Sequence, residues 1–177
     1  MSDKQLCLNL GCGDRPEKGW INQDRQKFNP QVDVWWDLED DKWPLLVRRG
    51  GKCITCKNLR PDDDILSGTF DHLAARDVLE HVCPGRFYHV MDACWDTLKP
   101  GGLLHVQVPE FGSLNAVIDP THWRGFSIES FDYLDPNTRL GKNGWTTPKR
   151  WRILKKERKP RSNINLLFDL RKIGHAD

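Results

Sequence analysis

The sequence predicts an α/β fold in which a mostly parallel, seven-stranded sheet ends in an antiparallel C-terminal hairpin. Short apolar runs end in glycine or a carboxylate, as buried parallel strands do where they reach a turn. One segment has helical periodicity, and the last two alternating segments are separated only by a short polar connection. The 177 residues suffice for one domain with a sizeable core, so residues 1–177 are expected to form a single unit.

Four strand candidates precede the helix. They span residues 6–10, 20–24, 32–37 and 69–77. The first leads into Gly11-Cys12-Gly13-Asp14, and each of the other three ends in an aspartate. Parallel strands that end in this way bring glycines and carboxylates to one edge of the sheet.

The predicted helix carries apolar side chains at helical spacing. They are Phe87, Val90, Met91, Cys94, Trp95 and Leu98. Pro84 fits the first turn, and Lys99-Pro100-Gly101-Gly102 stops the helix. A fifth strand is expected over 103–109, and strands over 151–157 and 164–170 are expected to pair as the hairpin.

The composition excludes several classes of protein. Hydrophobic residues make up 38% of the chain and charged residues 29%, a combination that disfavours a disordered or fibrous chain. The longest apolar runs are only a few residues, so neither a membrane-spanning helix nor a secretory segment is expected. We therefore expect a cytoplasmic protein without a membrane partner, whose six cysteines stay reduced.

Charge is distributed unevenly along the chain, although the formal net charge is only +2. Residues 139–177 hold 12 basic and 3 acidic residues, whereas residues 1–138 hold 15 basic and 22 acidic ones. A basic hairpin over 149–173 on an acidic body suits an anionic partner such as a nucleic acid, a nucleotide or a phospholipid headgroup. The same pattern fits a hairpin that turns Lys and Arg toward solvent and buries Trp151 in the sheet.

The glycines and carboxylates at the strand ends describe a binding site, because ligands of open parallel sheets bind beyond the carboxyl ends of the strands. Gly11 and Gly13 let a ligand approach the backbone closely. Asp24, after the second strand, can accept hydrogen bonds from ribose hydroxyls, and Asp37, after the third, from an adenine amino group. With Asp77 after the fourth strand, these residues predict a site for an adenosine-containing ligand.

The ligand is not expected to be a dinucleotide or a nucleoside triphosphate. The dinucleotide fingerprint requires a small residue where this chain has Pro16, and no Gly-Lys-Ser/Thr follows the glycines. Asp24 follows Gly11 by only 13 positions, against about 20 in that fingerprint. The wall of carboxylates suits a cationic ligand better than a pyrophosphate; its members are Asp14, Asp24, Asp37 and Asp77. Turn and cap carboxylates without a ligand would explain any one of these residues, but not the whole set.

The order of these segments resembles the class I S-adenosylmethionine-dependent methyltransferases, in the small bacterial and phage type with a very short first crossover. The resemblance spans about residues 6–135 and implies a Rossmann-like fold. The matching segments are residues 8–14, 19–24, 70–71 with 78–82, and 98–102 through 108–109. As an ordered set, they are far more specific than any single motif.

The resemblance implies S-adenosylmethionine as the cofactor. The residues it assigns to cofactor binding are Gly11, Cys12, Gly13, Asp24, Asp37, Leu38 and Asp77. The glycine turn would pass beneath the methionine part, Asp24 would hold the ribose, and Asp37 with Leu38 would flank the adenine. Asp77 either contacts the cofactor or the acceptor, or caps the helix that follows. Asn9 departs from the family pattern, because many of these enzymes carry an acidic residue before the glycines.

Methyl transfer from a sulfonium is an in-line displacement that depends mainly on holding the acceptor close and aligned. A hydroxyl or protonated amine acceptor also needs a base, and His81 and His122 are the candidates because histidine titrates near neutral pH. His81 equally fits a helix-start residue that bonds to backbone. The segment 119–127 resembles a substrate-facing loop of these enzymes, and otherwise is an ordinary surface loop. We expect the region 111–148, a second subunit of a homo-oligomer, or the substrate itself to close the site.

No metal site is predicted. Cys53 and Cys56 lie in an insertion over residues 48–61, but a structural zinc needs four ligands, and no second Cys pair or His pair accompanies them. The two thiols fit a surface loop. A redox pair, or a zinc site completed by another subunit, are the alternatives.

Two functions fit these observations. The first is methyl transfer to an acceptor such as a small molecule, a sugar or a nucleotide-like compound. The second is a non-catalytic adaptor that uses the same fold to hold the cofactor, a partner or a nucleic acid, as the small size and the basic C-terminal segment suggest. The sequence Ala75-Arg76-Asp77-Val78 lacks the Pro-Pro-aromatic tetrapeptide of base-amine methyltransferases, which argues against that chemistry. Turnover decides between the two functions.

Overall fold

The computed structural model describes residues 5–26, 30–41, 43, 48–49, 52–53, 68–143, 147–159 and 165–174. Nine strands occur in these ranges. They are β1 (Cys7–Leu10), β2 (Ile21–Asp24), β3 (Val34–Trp35), β4 (Arg48–Arg49), β5 (Lys52–Cys53), β6 (Phe70–Arg76), β7 (Leu98–Pro109), β8 (Trp151–Lys159) and β9 (Asn165–Lys172). Strands β4 and β5 pair with each other, within the predicted insertion, and Cys56 lies outside the described residues.

The other seven strands form one sheet in the order β3-β2-β1-β6-β7-β9-β8. Strands β3, β2, β1, β6 and β7 run parallel to one another, whereas β9 runs antiparallel to both β7 and β8. The predicted fold class is therefore confirmed. The carboxyl ends of β1, β2, β3 and β6 meet at one edge, where the predicted site residues follow them.

Within the described ranges, two α-helices and four short 3-10 turns accompany the sheet. They are α1 (Phe87–Thr97), α2 (Leu114–Ile118), and 3-10 turns at Leu79–His81, Pro84–Arg86, Asp132–Leu134 and Gly141–Asn143. The predicted amphipathic helix is confirmed, but Leu98 belongs to β7, where it pairs with Phe70. Pro100 explains this boundary, because its ring disfavours helical geometry in the residues before it.

The core lies between one face of the sheet and α1. Leu8, Leu73 and Leu104 are fully buried on neighbouring strands, and Val90 and Met91 of α1 are buried in the same cluster. Trp151 at the start of β8 is also fully buried, as expected for a hairpin that turns its Lys and Arg toward solvent. Among the helices that the structure describes, none combines the length and apolar character needed to cross a membrane.

Candidate active site

A cleft of about 240 Å³ opens at the edge where the parallel strands end. Seven of the predicted site residues line it: Gly11, Gly13, Asp24, Asp37, Leu38, Asp77 and His81. A neighbouring cleft of about 370 Å³ shares the two glycines and Asp77, and its lining adds Cys12. All predicted cofactor residues therefore border one continuous region, although they come from four separate segments of the chain.

The geometry of the turn after β1 explains why it contains two glycines. Gly11 has φ +56°, and a Cβ at this position would lie 2.3 Å from Cγ2 of Val78, so any side chain would collide with the segment after β6. Gly13 has φ +52°, but no described atom would lie within 4 Å of its Cβ. Gly11 therefore permits packing between two segments, whereas Gly13 leaves open the space in which a ligand can approach the backbone.

Asp24 closes the cleft from the end of β2. Its Oδ2 accepts a hydrogen bond from the N–H of Gly13 at 2.8 Å, and its Oδ1 accepts one from the N–H of Gln26 at 2.9 Å. Each carboxylate oxygen can accept more than one hydrogen bond, so both keep capacity for hydroxyl donors. Asp24 is thus held rigidly against the glycine turn and can still receive a ribose.

Sequence reasoning missed Gln23, which is 1% exposed. Its Oε1 accepts a hydrogen bond from the N–H of Gly11 at 2.9 Å, and its Nε2 donates to the carbonyl oxygen of Trp36 at 2.6 Å. One side chain therefore ties the ends of β1, β2 and β3 together. The only local signal is its position directly before Asp24.

Asp37 and Leu38 form the opposite wall, in the turn after β3. The N–H of Glu39 donates to Asp37 Oδ1 at 2.9 Å, which orients the carboxylate, and Leu38 is 6% exposed. A carboxylate next to an apolar surface can bind an amino group and the face of an aromatic base together.

Asp77 has φ 55°, a left-handed conformation that is uncommon for a residue other than glycine. Gln107 Nε2 donates to both carboxylate oxygens of Asp77, at 3.1 and 2.9 Å. The backbone N–H of Asp77 donates in turn to the carbonyl oxygen of Gln107. Val78 is the N-cap of the following turn, where no side chain among the described residues makes a cap bond. Asp77 therefore does not cap that turn. Its strained backbone, of the kind that clusters at functional sites, aims the carboxylate into both clefts.

Cys12 contributes no charge to the site. It is 6% exposed, and burial, together with the nearby charge of Asp24, raises the pKa of its thiol to about 11. The neutral thiol is a poor nucleophile. Its role in the turn is therefore one of packing.

The two candidate histidines meet at the edge of the first cleft, where their ring centroids lie 4.5 Å apart in a T-shaped arrangement. Thr121 Oγ1 donates its proton to Asp119 Oδ1 at 2.7 Å and lies 2.8 Å from Nδ1 of His81. Since the hydroxyl has one proton, Nδ1 of His81 must donate, which leaves Nε2 as an acceptor. Burial and the neighbouring His122 lower the pKa of His81, so the neutral ring with a free Nε2 predominates at neutral pH.

Glu80 is the second residue that sequence reasoning missed. It is 1% exposed, and its Oε1 lies 4.0 Å from Nε2 of His122. Burial raises its pKa to about 8, with a further contribution from the charges of Asp77 and Asp119. Glu80 lies beside His81 in the segment 78–82, which carries part of the family resemblance, but its contact with His122 depends on the fold.

A third cavity, of about 240 Å³, adjoins the first cleft and shares Asp77 and His81 with it. The rest of its lining is mostly polar: Glu80, Pro109, Asn115, Ile118, Asp119, His122 and Asn165. Four of these residues come from the predicted region 111–148. We call this cavity the side pocket; it offers room for a second small molecule next to a ligand in the cleft.

The basic hairpin is paired extensively with acidic side chains of the body. Lys156 lies 3.0 Å from Asp132, and Arg152 lies 3.7 Å from Asp135. Arg158 forms an ion pair with Glu110. Ion pairs within the fold therefore neutralise much of the positive charge of the hairpin.

No family model matches the chain, and no curated protein matches its sequence. Solved structures do match. A SAM-dependent methyltransferase from Archaeoglobus fulgidus is 13% identical, with a TM-score of 0.58, over 96% of this chain and 87% of that one. The 1,6-didemethyltoxoflavin-N1-methyltransferase of Burkholderia thailandensis, solved with S-adenosylhomocysteine, is 14% identical, with a TM-score of 0.53, over 96% and 72%.

The [4+2]-cyclase SpnF is also similar, at 14% identity and a TM-score of 0.57, over 96% of this chain and 75% of that one. The same fold thus occurs in a protein named for a different reaction. At these identities the comparison establishes the architecture, and the chain has the fold of the SAM-dependent methyltransferases.

Proposed function

We propose that this protein transfers a methyl group from S-adenosylmethionine to an acceptor in the side pocket. The observation that carries the proposal is the convergence of the predicted cofactor residues, from four separate segments, on one region at the carboxyl edge of the sheet. The glycine turn would lie under the methionine part of the cofactor, Asp24 would hold the ribose, and Asp37 with Leu38 would flank the adenine.

The acceptor chemistry follows from the boundary between the two cavities. His81 and Asp77 line both, so they lie between the cofactor and the acceptor. Nε2 of His81 can take a proton from a hydroxyl or amine acceptor as that atom attacks the methyl carbon. The cofactor, when bound, would supply the methyl group on its sulfonium sulfur and would leave as the neutral thioether. Positioning by the pocket supplies much of the remaining rate enhancement.

Exposed apolar side chains occur in α2, which contributes to the side pocket, and close to the pocket residues in sequence. In α2 they are Leu114, Val117 and Ile118, and on either side of it Phe111 and Trp123. Ile118 is 65% exposed and also lines the pocket, next to Asp119. We infer that the acceptor combines a polar nucleophile with an apolar part that covers this surface.

Calorimetric titration with S-adenosylmethionine and S-adenosylhomocysteine tests cofactor binding. Wild type should bind both, and Gly13→Val should lose most affinity because its side chain enters the open space above the turn. Both glycines have positive φ, so either substitution strains the turn, but substitution of Gly11 also disturbs packing against Val78. Asp96→Ala, on the exposed side of α1, is the matched control. If Gly13→Val binds as wild type does, the assignment of the cleft is wrong.

Methyl transfer from radiolabelled cofactor to a panel of hydroxyl and amine acceptors then separates an enzyme from an adaptor. Turnover supports the proposed function. Tight cofactor binding without turnover on any acceptor supports the adaptor instead, or a reaction of another kind, as the similar cyclase illustrates.

A further inference from the structure

We propose that Glu80, His81 and His122 bind a divalent transition-metal ion at the boundary between the cofactor cleft and the side pocket. The binding of the ion does not depend on the proposed methyl transfer. Its role does, because an ion at this boundary would lie where the acceptor meets the cofactor. The sequence did not predict this site, since only its cysteine pair had a zinc-like spacing.

The three side chains converge. One donor atom from each lies within 4.8 Å of the donor atoms of the other two, in the part of the chain that the structure describes. Zinc binds imidazole nitrogen and carboxylate oxygen at about 2.0–2.2 Å, which places tetrahedral ligand atoms about 3.3 Å apart. Side-chain shifts of about 1 Å therefore bring the set around an ion.

The backbone holds the set in place. Glu80 and His81 are consecutive residues of one 3-10 turn, and the N–H of Trp123 donates to the carbonyl oxygen of Glu80 at 2.9 Å. The N–H of His122 donates to the carbonyl oxygen of Asp119 at 3.2 Å. The first bond fastens the segment that carries His122 to the turn that carries the other two ligands, and the second fixes the local turn at His122.

Buried polar atoms at this place lack partners. Oε2 of Glu80 and Nδ1 of His122 make no hydrogen bond to any described residue, and the two side chains are 2% and 9% exposed. An unpaired buried polar group costs about 1–3 kcal/mol, and an unpaired buried charge costs more. A cation between these side chains would give the Glu80 carboxylate the partner that the protein does not provide.

His81 is already prepared as a ligand. Its Nδ1–H donates to Thr121, whose hydroxyl donates in turn to the Asp119 carboxylate. Metal-binding histidines commonly donate their second ring nitrogen to such an acceptor, which fixes the tautomer and raises the basicity of the ligand nitrogen. Nε2 of His81 thus keeps a lone pair that binds either the ion or a proton, so His81 serves as the base of the proposed function only in the metal-free protein.

The donor set selects the class of metal. Two imidazole nitrogens and one carboxylate oxygen suit Zn²⁺, Fe²⁺, Co²⁺ or Ni²⁺ better than Mg²⁺ or Ca²⁺, which prefer oxygen ligands. Three protein ligands also leave a coordination position open, as in catalytic zinc sites. Asp119, whose Oδ2 lies 3.9 Å from Nε2 of His122, or an oxygen atom of the acceptor can take that position.

Titration of the chelator-treated full chain with Co²⁺ and with Zn²⁺ tests the proposal. We expect one ion per chain, a visible Co²⁺ absorption band typical of nitrogen and oxygen ligands, and displacement of Co²⁺ by Zn²⁺. Glu80→Gln and His122→Ala should each lower the affinity at least about 10-fold, because each removes a ligand. Circular dichroism and the melting temperature verify that both variants fold.

His105→Ala is the matched control. It removes a histidine from another pair of histidines with a carboxylate, on the sheet, and should leave the affinity unchanged. Wild-type binding no tighter than that of His122→Ala, or a loss of binding in His105→Ala, overturns the proposal. A chain that binds Co²⁺ but not S-adenosylmethionine leaves the metal site standing and refutes the proposed function. The opposite result refutes the metal site alone.

Discussion

Two places in this molecule each combine two histidines with a carboxylate, and they differ in how their polar atoms are satisfied. On the sheet, Nδ1 of His72 lies 3.1 Å from Nε2 of His105, and Nδ1 of His105 lies 2.7 Å from Oδ1 of Asp169. Both nitrogens of His105 are therefore engaged in a linear chain across β6, β7 and β9. At the carboxyl edge, Glu80, His81 and His122 converge instead, and two of their buried atoms lack a described partner.

The difference separates a cluster that links strands of the sheet from the cluster that we propose as a metal site. A linear chain with each inner atom paired cross-links neighbouring strands and leaves no place for a further group. A convergent cluster with unpaired buried atoms lowers the stability of the free protein. A ligand that pairs with these atoms would remove that cost. The same residue types therefore support opposite interpretations, and geometry decides between them.

The largest contrast should appear in catalysis. His81→Ala should lower methyl transfer by about 10²–10⁴-fold, since it removes the proposed base. His105→Ala should change the rate by less than about 2-fold, because its ring lies outside the clefts. Rates from labelled cofactor, measured with any acceptor found in the panel, test the comparison. Equal losses in the two variants would show that His81 acts only through stability.

Cofactor affinity should likewise depend on Asp24 in the cleft and not on Asp169 on the sheet. Asp24→Ala should weaken S-adenosylhomocysteine binding by about 10–100-fold, because it removes a charged hydrogen-bond acceptor and loosens the glycine turn. Asp169→Ala should bind as wild type does. Calorimetry measures both affinities. Equal affinities of Asp24→Ala and wild type would refute the ribose assignment.

Stability should depend on pH through Glu80 in the chelated, metal-free protein. Its pKa of about 8 lies above the ordinary value of 4.5, so between these values the folded chain binds a proton that the unfolded chain has lost. The free energy of unfolding should therefore fall as pH rises through this range, by an amount on the order of 5 kcal/mol. Glu80→Gln does not titrate there and should lack this decrease.

Urea unfolding of the wild type and of Glu80→Gln at pH 5 and pH 9, with chelator present, measures that difference. Parallel pH dependence of the two proteins would mean that Glu80 is not the titrating group. His105→Gln provides a second comparison, since it retains the Glu80 carboxyl and should show the wild-type decrease over the same interval.

The smallest effect is expected on the sheet. Asp169→Asn should lower the free energy of unfolding by about 1 kcal/mol, because it weakens one half-exposed hydrogen bond to His105. Metal and cofactor affinities should stay unchanged. Thermal unfolding together with Co²⁺ titration tests both statements. A loss of metal affinity in this variant would show that the cluster on the sheet also contributes to metal binding.

Local patterns in the chain were enough to predict the sheet and seven of the residues that line the cleft. Parallel strands all place their carboxyl ends at one edge, so a glycine or an aspartate directly after each strand could be assigned to a common site before any contact was known. Asp24, Asp37 and Asp77 needed no further information. The helix end was misplaced by one residue, because Leu98 has the periodicity of α1 and is extended only next to Phe70.

Contacts between distant segments needed the three-dimensional structure. Glu80 and His122 are 42 positions apart, and nothing in either segment indicates that a carboxylate and an imidazole will be buried together without partners. The link that Gln23 makes between strand ends, and the ion pairs that engage the basic hairpin, are similarly non-local. Strand ends follow from the repeat of the backbone, which is a local property. Burial and hydrogen-bond satisfaction depend on every neighbour at once, so they emerge only when the chain is packed.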